Sequence, residues 1–410
     1  MRLCLALVLF GCGSSVPPPP VDAGPPSEGC TSVRLTTYTA GARGWCELDR
    51  TLPILPPFVR QGLTAAVAEP WNGSAYRGDP GEACGECWEV DTISATQTVM
   101  ITDLCPIEGN TLCAGGHFHL DLASEAAAAL MGGALDEGAA RRVPCPVTGN
   151  VHAVVNDTNE WYLRIAFANH RIPIRAAEVR GAGAGVAADN PWLPLRRSGG
   201  AWDVSGDGRA LANGGTGVSF RITSAQGQTV ESAAVVSPVT GQSFDLGVQL
   251  DDVSPVPGGA CVFEPPAEIY RDRWGGIDEV RWAINPWGEA EAGFHGETTA
   301  GCFSGSCVRV EALGQWSGFH LYYRQRFPTS TFRQVVLRLR TESGEGEVQV
   351  SPGNDTDRCT GTRTAVGPDW IELTISLAEV CGGVSMLSSV TVENPGPRIA
   401  LLLDDVRFEH

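Results

Sequence analysis

The chain has 410 residues, 50 of them glycine and 28 proline, carries a formal net charge of −18, and all 29 of its basic residues are arginine. A chain this long exceeds one hydrophobic core and is expected to form two or three domains. Its acidity argues against nucleic acid and acidic polymers as partners, because a negative surface repels a polyanion, whereas a neutral polymer meets no such barrier. The absence of lysine is read as codon-composition bias.

The chain opens with Met1 and Arg2, an apolar run from Leu3 to Phe10, then Gly11 and Cys12. A basic start, a short apolar run and a small residue describe a secretory signal over residues 1–11, too short to span a bilayer. Leu9-Phe10-Gly11-Cys12 further resembles a bacterial lipoprotein signal, in which Cys12 is lipidated after cleavage; free secretion is the alternative. Pro17 to Pro20, with Pro25 and Pro26, make residues 12–29 a semi-stiff tether that cannot build a core. Either way the chain is expected outside the cell or on its surface, touching a membrane only through the lipid.

Export makes the cysteines legible. Fourteen cysteines less Cys4 and Cys12 leave twelve, an even number in an oxidising compartment, so disulfides are expected. Cys84-Gly85-Glu86-Cys87 alone would suggest zinc or redox chemistry, but no second pair of that spacing exists, and a metal is set aside.

Short segments rich in Val, Thr and aromatics, broken by Gly and Pro, argue for an all-β chain in three blocks. Residues 30–148 hold seven cysteines and the one helical-looking segment, Ala123 to Leu135. Residues 149–258 hold no cysteine and read as short strands, among them Val151 to Val155, Trp161 to Phe167, Val218 to Thr223 and Phe244 to Leu250, which suggest a small β-sandwich. Residues 259–410 are rich in Trp and Arg. Strand-like runs at Val335 to Leu339, Trp370 to Ile375 and Ile399 to Val406 fit a jelly-roll-like sandwich.

Within the first block, Ile101 to Leu122 holds two alternating apolar runs, each delivering one carboxylate, Asp103 and Asp121, with Cys105 and Cys113 between them. In a half-buried strand Leu120 and Leu122 face the core while His119 and Asp121 face the other way. Two strand carboxylates near a cleft are what sugar chemistry uses; the plainer reading is that both bond loop amides. His117, His119 and Asp121 also alternate as a non-haem metal set would, a reading set aside because Gly115-Gly116 interrupts the strand.

Five landmarks stand in order: Thr36-Thr37-Tyr38-Thr39, Cys84-Gly85-Glu86-Cys87, Thr102-Asp103-Leu104-Cys105-Pro106, His119-Leu120-Asp121-Leu122 and Arg141-Arg142-Val143-Pro144-Cys145. Through them residues 30–258 resemble an expansin. The resemblance implies a six-stranded double-psi β-barrel followed by an immunoglobulin-like, polysaccharide-binding domain. Such a barrel is similar to that of certain inverting endoglucanases, which use one aspartate as acid and another as base. Asp121 stands at the acid position; the base position falls in Thr36 to Thr39, where there is no Asp or Glu. Inversion needs both groups, about 6.5–9.5 Å apart. Losing the base removes about 10² to 10⁴ of rate, leaving at best a feeble hydrolase.

Expansins loosen walls by disrupting noncovalent contacts between polysaccharides. The family's activity residues, an early Thr and two Asp, fall on Thr37, Asp103 and Asp121. The aromatic that bacterial members often carry two residues after the first Asp is replaced here by Cys105, as in the plant type. By analogy with plant members, the resemblance pairs Cys46 with Cys84, Cys87 with Cys145 and Cys105 with Cys113. Cys30 is left over, as is an odd member among Cys261, Cys302, Cys307, Cys359 and Cys381, so a Cys30 to Cys261 bridge would balance both counts.

The resemblance also implies a flat face with three aromatics in line, Trp161 and Tyr162 at the first two positions and Trp202 near the third, with His119 as a further substrate contact. Ring faces suit sugars because pyranose C–H groups pack on them while hydroxyls stay wet at the edge. Unaided, adjacent aromatics on a strand would put at least one in the core. Two decoys follow. Asp203-Val204-Ser205-Gly206-Asp207-Gly208 starts like a calcium loop, but its twelfth position is Gly214, so a turn is preferred. Leu403 to Phe408 resembles the last strand of jelly-roll carbohydrate-binding modules, some of which hold a structural calcium, for which Asp404 or Asp405 is the candidate ligand. Trp274, Trp282, Trp287, Trp316 and Trp370 are read as core.

The expectation is an exported monomer that binds plant-type wall polysaccharide, cellulose with its hemicellulose, and loosens it without hydrolysis, using no cofactor beyond that calcium. Peptidoglycan ranks lower, because binding there uses basic surfaces. The alternatives are a weak endoglucanase with Asp121 as acid and Asp103 as base, and a surface adhesin that loosens nothing.

Overall fold

The computed structural model describes residues 29–69, 81–108, 110, 112–114, 118–131, 135–159, 162–183, 190–204, 217–233, 236–251, 261–274 and 282–410. The expected signal and tether with Cys12, His117, Trp161 and most of the calcium-like loop after Val204 lie outside these residues.

Strands β1 (Thr31–Tyr38), β2 (Thr64–Ala68), β3 (Cys87–Asp91), β4 (Thr96–Cys105), β5 (His119–Ala123) and β6 (Leu135–Val143) close into a barrel in the order β1-β5-β2-β4-β3-β6. Pairing of β1 with β5 and of β2 with β4 is parallel, and the other four contacts are antiparallel. Alternation sends Val33 and Leu35 into the core with Ile101, Leu120 and Leu122, and turns Arg34, Thr36 and Tyr38 to the other face. The helix Ser124–Leu130 covers this core with Ala126, Ala127 and Leu130; it ends short of Leu135, which starts β6.

One irregularity decides where a carboxylate goes. Ala65 pairs with Ile101 but Ala66 pairs with Asp103, so Thr102 is an extra residue in β4, a β-bulge. Regular pairing would set Asp103 opposite Val67, on the opposite strand face from Ala66. The bulge sets it opposite Ala66, whose neighbour on the other side is Asp121.

The second block comprises β7 (His152–Asn159), β8 (Tyr162–Ala168), β9 (Ile174–Ala182), β10 (Leu193–Pro194), β11 (Arg196–Ser198), β12 (Ala201–Val204), β13 (Gly217–Ser224), β14 (Thr229–Glu231) and β15 (Ser243–Asp245). They form sheets β10-β9-β13-β14 and β11-β12-β8-β7-β15 around one core that includes Ile165, Phe167, Val179 and Phe220. The third block comprises β16 (Glu268–Tyr270), β17 (Ala283–Trp287), β18 (Phe294–Thr298), β19 (Cys307–Leu313), β20 (Gly318–Pro328), β21 (Gln334–Thr341), β22 (Gly346–Gly353), β23 (Thr362–Val366), β24 (Ile371–Ser376), β25 (Met386–Glu393) and β26 (Ile399–Glu409). Its sheets, β18-β19-β26-β21-β24 with β16 on β26, and β17-β20-β25-β22-β23, share a core in which Trp282 packs on Tyr323, Phe327 and Phe408.

Among the described residues there are six disulfides: the three implied by the resemblance, Cys30–Cys261, Cys302–Cys307 and Cys359–Cys381. The Cys84 to Cys87 motif serves packing. A Cβ on Gly85, at φ +79, would lie 2.4 Å from the His170 ring, so only glycine lets this buried imidazole approach from the second block. Burial lowers the His170 pKa to about 4, and the neutral ring bonds the Ile172 carbonyl at 2.9 Å.

That contact belongs to a continuous seam. Val154, Ala166 and Ala168 of the second block cluster with Leu48, Leu55, Val59, Cys87 and Met100 of the barrel. At its edge Glu47 receives Arg164, Arg43 at 2.8 Å and the Asn156 amide at 2.9 Å. Burial opposes the Glu47 charge, but Arg164 outweighs it and holds the carboxyl below its usual range. The third block joins the opposite side of the barrel through Cys30–Cys261 and through Asp91, which accepts the Phe263 N–H at 2.7 Å.

Candidate functional site

In register, Thr36 of β1 stands beside Asp121 of β5, Asp121 beside Ala66 of β2, and Ala66 beside Asp103 of β4. Four neighbouring strands thus carry one lateral row in which two carboxylates flank an alanine, their backbones about 9–10 Å apart at ordinary strand spacing. Ala66, the small side chain between them, is itself buried.

Thr36 Oγ1 donates to Asp121 Oδ1 at 2.6 Å and lies 2.8 Å from His119 Nε2. With its one hydrogen given to Asp121, the hydroxyl receives from His119, which makes Nε2 the protonated ring nitrogen. Asp121 Oδ2 lies 3.6 Å from Cys105 Sγ, so the Cys105–Cys113 bridge walls the carboxylate on that side. Burial raises the Asp121 pKa; the Thr36 bond works against this, and the nearby Asp103 charge adds to it. Asp121 therefore keeps its proton at pH values where an ordinary aspartate has lost it.

Asp103 is held differently. Its Oδ1 accepts the backbone N–H groups of Trp45 at 2.7 Å and Leu104 at 2.9 Å, and its Oδ2 accepts the Tyr38 hydroxyl at 3.3 Å. Gly44 makes this possible, because a Cβ there would stand 2.4 Å from the Thr102 carbonyl and 2.9 Å from Asp103 Cγ. Burial, then Asp103, then Asp121 push the Tyr38 phenol upward, so it stays a donor across the pH range of interest.

Asp103, Asp121 and His119 are thus brought together, and Thr37 is not. Thr37 is exposed and shares the strand face of Val33 and Leu35, so it is Thr36 that meets Asp121. The signal was available, since Val33 and Leu35 as core residues place 34, 36 and 38 on the other face. His119 is 2 % exposed and bonded to Thr36, so it backs the site from within. Tyr38 reaches Asp103 because β1 lies across the barrel from β4, a relation that no run of neighbouring residues displays.

The expected aromatic face divides. Tyr162 is half-buried at the start of β8. Trp202 is 5 % exposed in the sandwich core, edge-on to Phe167 at 6.3 Å and covered by the Arg197 guanidinium at 4.1 Å. It offers no face to a polymer, because its position on β12 points it at β8 and β13 residues of the core. Calcium does not fit Asp404 and Asp405. Asp405 is paired with Arg271 and Arg407, each at 2.8 Å, and with Arg338 at 3.5 Å, a cationic setting. Asp404 accepts the backbone N–H groups of Phe303, Ser304 and Asp405 at 3.1, 3.0 and 2.7 Å.

Residues 33–147 match the family model described as EXPB1-like domain 1. The barrel is expansin-like. Expansin-like protein 2 of Dictyostelium discoideum is 34 % identical over 155 residues, covering 37 % of this chain and 35 % of its own length. Expansin-like protein 8 of the same organism is 21 % identical over 355 residues, covering 83 % of this chain and 69 % of its own. The chain thus spans about a third of the length of the first of these expansin-like relatives. The crystal structure of a Clavibacter michiganensis expansin is 20 % identical and covers 55 % of this chain and 100 % of that one, with a TM-score of 0.43; a mutant of it solved in complex with cellohexaose is 21 % identical with the same coverage and TM-score.

Proposed function

We propose that this is an exported protein that binds neutral wall polysaccharide, cellulose with its hemicellulose, and loosens it without cutting glycan. The observation that carries this reading is the row Thr36–Asp121–Ala66–Asp103 in a barrel of expansin type. Asp121, with its raised pKa, offers a proton or a strong hydrogen bond to a glycan oxygen. Asp103 spends one oxygen on two backbone N–H groups and the other on a phenol, an arrangement that anchors a carboxylate and does not free it to activate water. An acid without a free base competes for hydrogen bonds between chains but does not complete inverting hydrolysis. The net charge of −18 favours a neutral polymer over an acidic one.

The test pairs two measurements on the purified protein: extension of cellulose–hemicellulose walls under constant load, and release of reducing ends from soluble glucan. Extension without reducing ends is the expected result. Reducing ends lost in Asp121→Asn would establish the endoglucanase instead, and binding without extension the adhesin.

A further inference from the structure

Trp316 occupies the turn between β19 and β20 with φ +60, and 59 % of it is exposed. A bulky residue in the left-handed region is strained, and an exposed indole forgoes burial, so both features oppose stability. Yet the turn is built to hold it. The Trp316 N–H donates to the Asn394 carbonyl at 2.6 Å, and the Asn394 N–H donates to the Ser317 carbonyl at 3.0 Å. Asn394, fully buried, donates through Nδ2 to the carbonyls of Leu313 and Pro397, both at 2.7 Å, and accepts the Gly396 N–H at 2.8 Å. Ser317 Oγ accepts the Glu289 N–H at 3.0 Å. So many bonds leave the turn no room to relax, and the ring stays outward.

Two residues on, Gly318 carries a second indole. Gly318 pairs with Trp287 across β20 and β17, and a Cβ on Gly318 would lie 2.5 and 2.6 Å from Trp287 ring atoms, so the ring rests on the glycine. His320 stacks on Trp287 with centroids 4.4 Å apart and bonds Thr391 Oγ1 at 2.8 Å. Charges around it are matched: Arg358 with Glu393 at 2.7 Å, and Arg398 with Glu289 at 3.7 Å. Burial and Arg358 lower the His320 pKa, which keeps the ring neutral. Aromatic surface rimmed by neutral or paired polar groups suits a ligand with apolar C–H faces, hydroxyl edges and no charge.

We propose that Trp316 and Trp287 form a second glycan contact, on the third block, for a neutral hexopyranose polymer. The ligand class rests on the polysaccharide reading above; the site uses no residue of the barrel row. The test is adsorption of the full chain to insoluble cellulose and its retardation in gels containing soluble neutral glucan, for the parent, Trp316→Gly and Trp287→Ala. Glycine adopts φ +60 freely, so Trp316→Gly should melt at or above the parent temperature while binding falls about fivefold or more. Unchanged binding in both variants overturns the proposal. So does a parent that self-associates through Trp316 while glycan retention is unaffected, since the occupant is then a second copy. If binding depends on Trp316 but no wall extends, this site stands and the cleft reading fails; if walls extend and both variants bind like the parent, the reverse holds.

Discussion

The Tyr323 hydroxyl of the third block donates to the Glu137 carboxylate of β6 at 2.6 Å, and both residues are buried. Gln325 Nε2 adds a bond to the Glu137 carbonyl at 3.0 Å. Glu137 is the register partner of Arg34, and Arg34 that of His119, so a buried polar row runs behind Thr36 and Asp121 and ends in the third block. The third block is therefore part of the barrel's support.

Removing the Tyr323 hydroxyl takes a donor from a buried carboxylate, which costs about 1–3 kcal/mol. Tyr323→Phe should lower the midpoint of denaturant unfolding accordingly, with far-UV circular dichroism unchanged. A midpoint equal to the parent's would show that the seam contributes nothing.

Because burial raises the Asp121 pKa above the ordinary aspartate range, its native state favours the protonated form. Its contribution to stability is full below the ordinary aspartate range and is lost as pH rises through the raised value. Asp121→Asn should therefore gain stability over the parent as pH rises, and wall extension by the parent should be greatest on the acid side. Thr36→Val removes the bond that lowers this pKa and should move both profiles toward higher pH. Superimposable stability profiles of parent and Asp121→Asn would remove the carboxyl from the account.

Trp202 and Tyr162 should separate in opposite directions. Trp202→Ala opens a cavity in the sandwich core and should cost about 3–5 kcal/mol in thermal unfolding. Tyr162→Ala should leave unfolding nearly unchanged and weaken cellulose adsorption about tenfold. That adsorption should persist in high salt, because stacking involves no net charge.

Chelation offers a fourth check. With three arginines around Asp405 and three backbone donors on Asp404, EDTA should not shift the melting temperature, whereas Asp404→Ala should lower it by exposing the 302–307 loop amides that Asp404 binds. A calcium-dependent melting temperature would place a cation elsewhere in the chain.

Much of this architecture was legible from local pattern. Alternation marked the strands at Val335, Ile371 and Ile399, because one apolar face must meet a core whatever lies opposite. Counting cysteines reached Cys30–Cys261 because an oxidising compartment leaves few thiols unpaired. The two carboxylates were visible as residues, and the alternation of β1 already favoured Thr36 over Thr37.

What the chain could not display by itself is which positions meet. Thr102 looks like any strand residue, yet as the bulge it moves Asp103 from the face of Val67 to that of Ala66 and completes the row with Asp121. Trp202 and Trp316 are both tryptophans near glycines, and only the packing of sheets buries the first while a ring of Asn394 bonds holds the second in water. The sequence by itself determined which segments form strands and which residue types could do sugar chemistry, since both follow from a few neighbouring side chains. Register, bulge and domain seam were decided by tertiary structure alone, because each is a comparison of free energies between segments far apart in the chain.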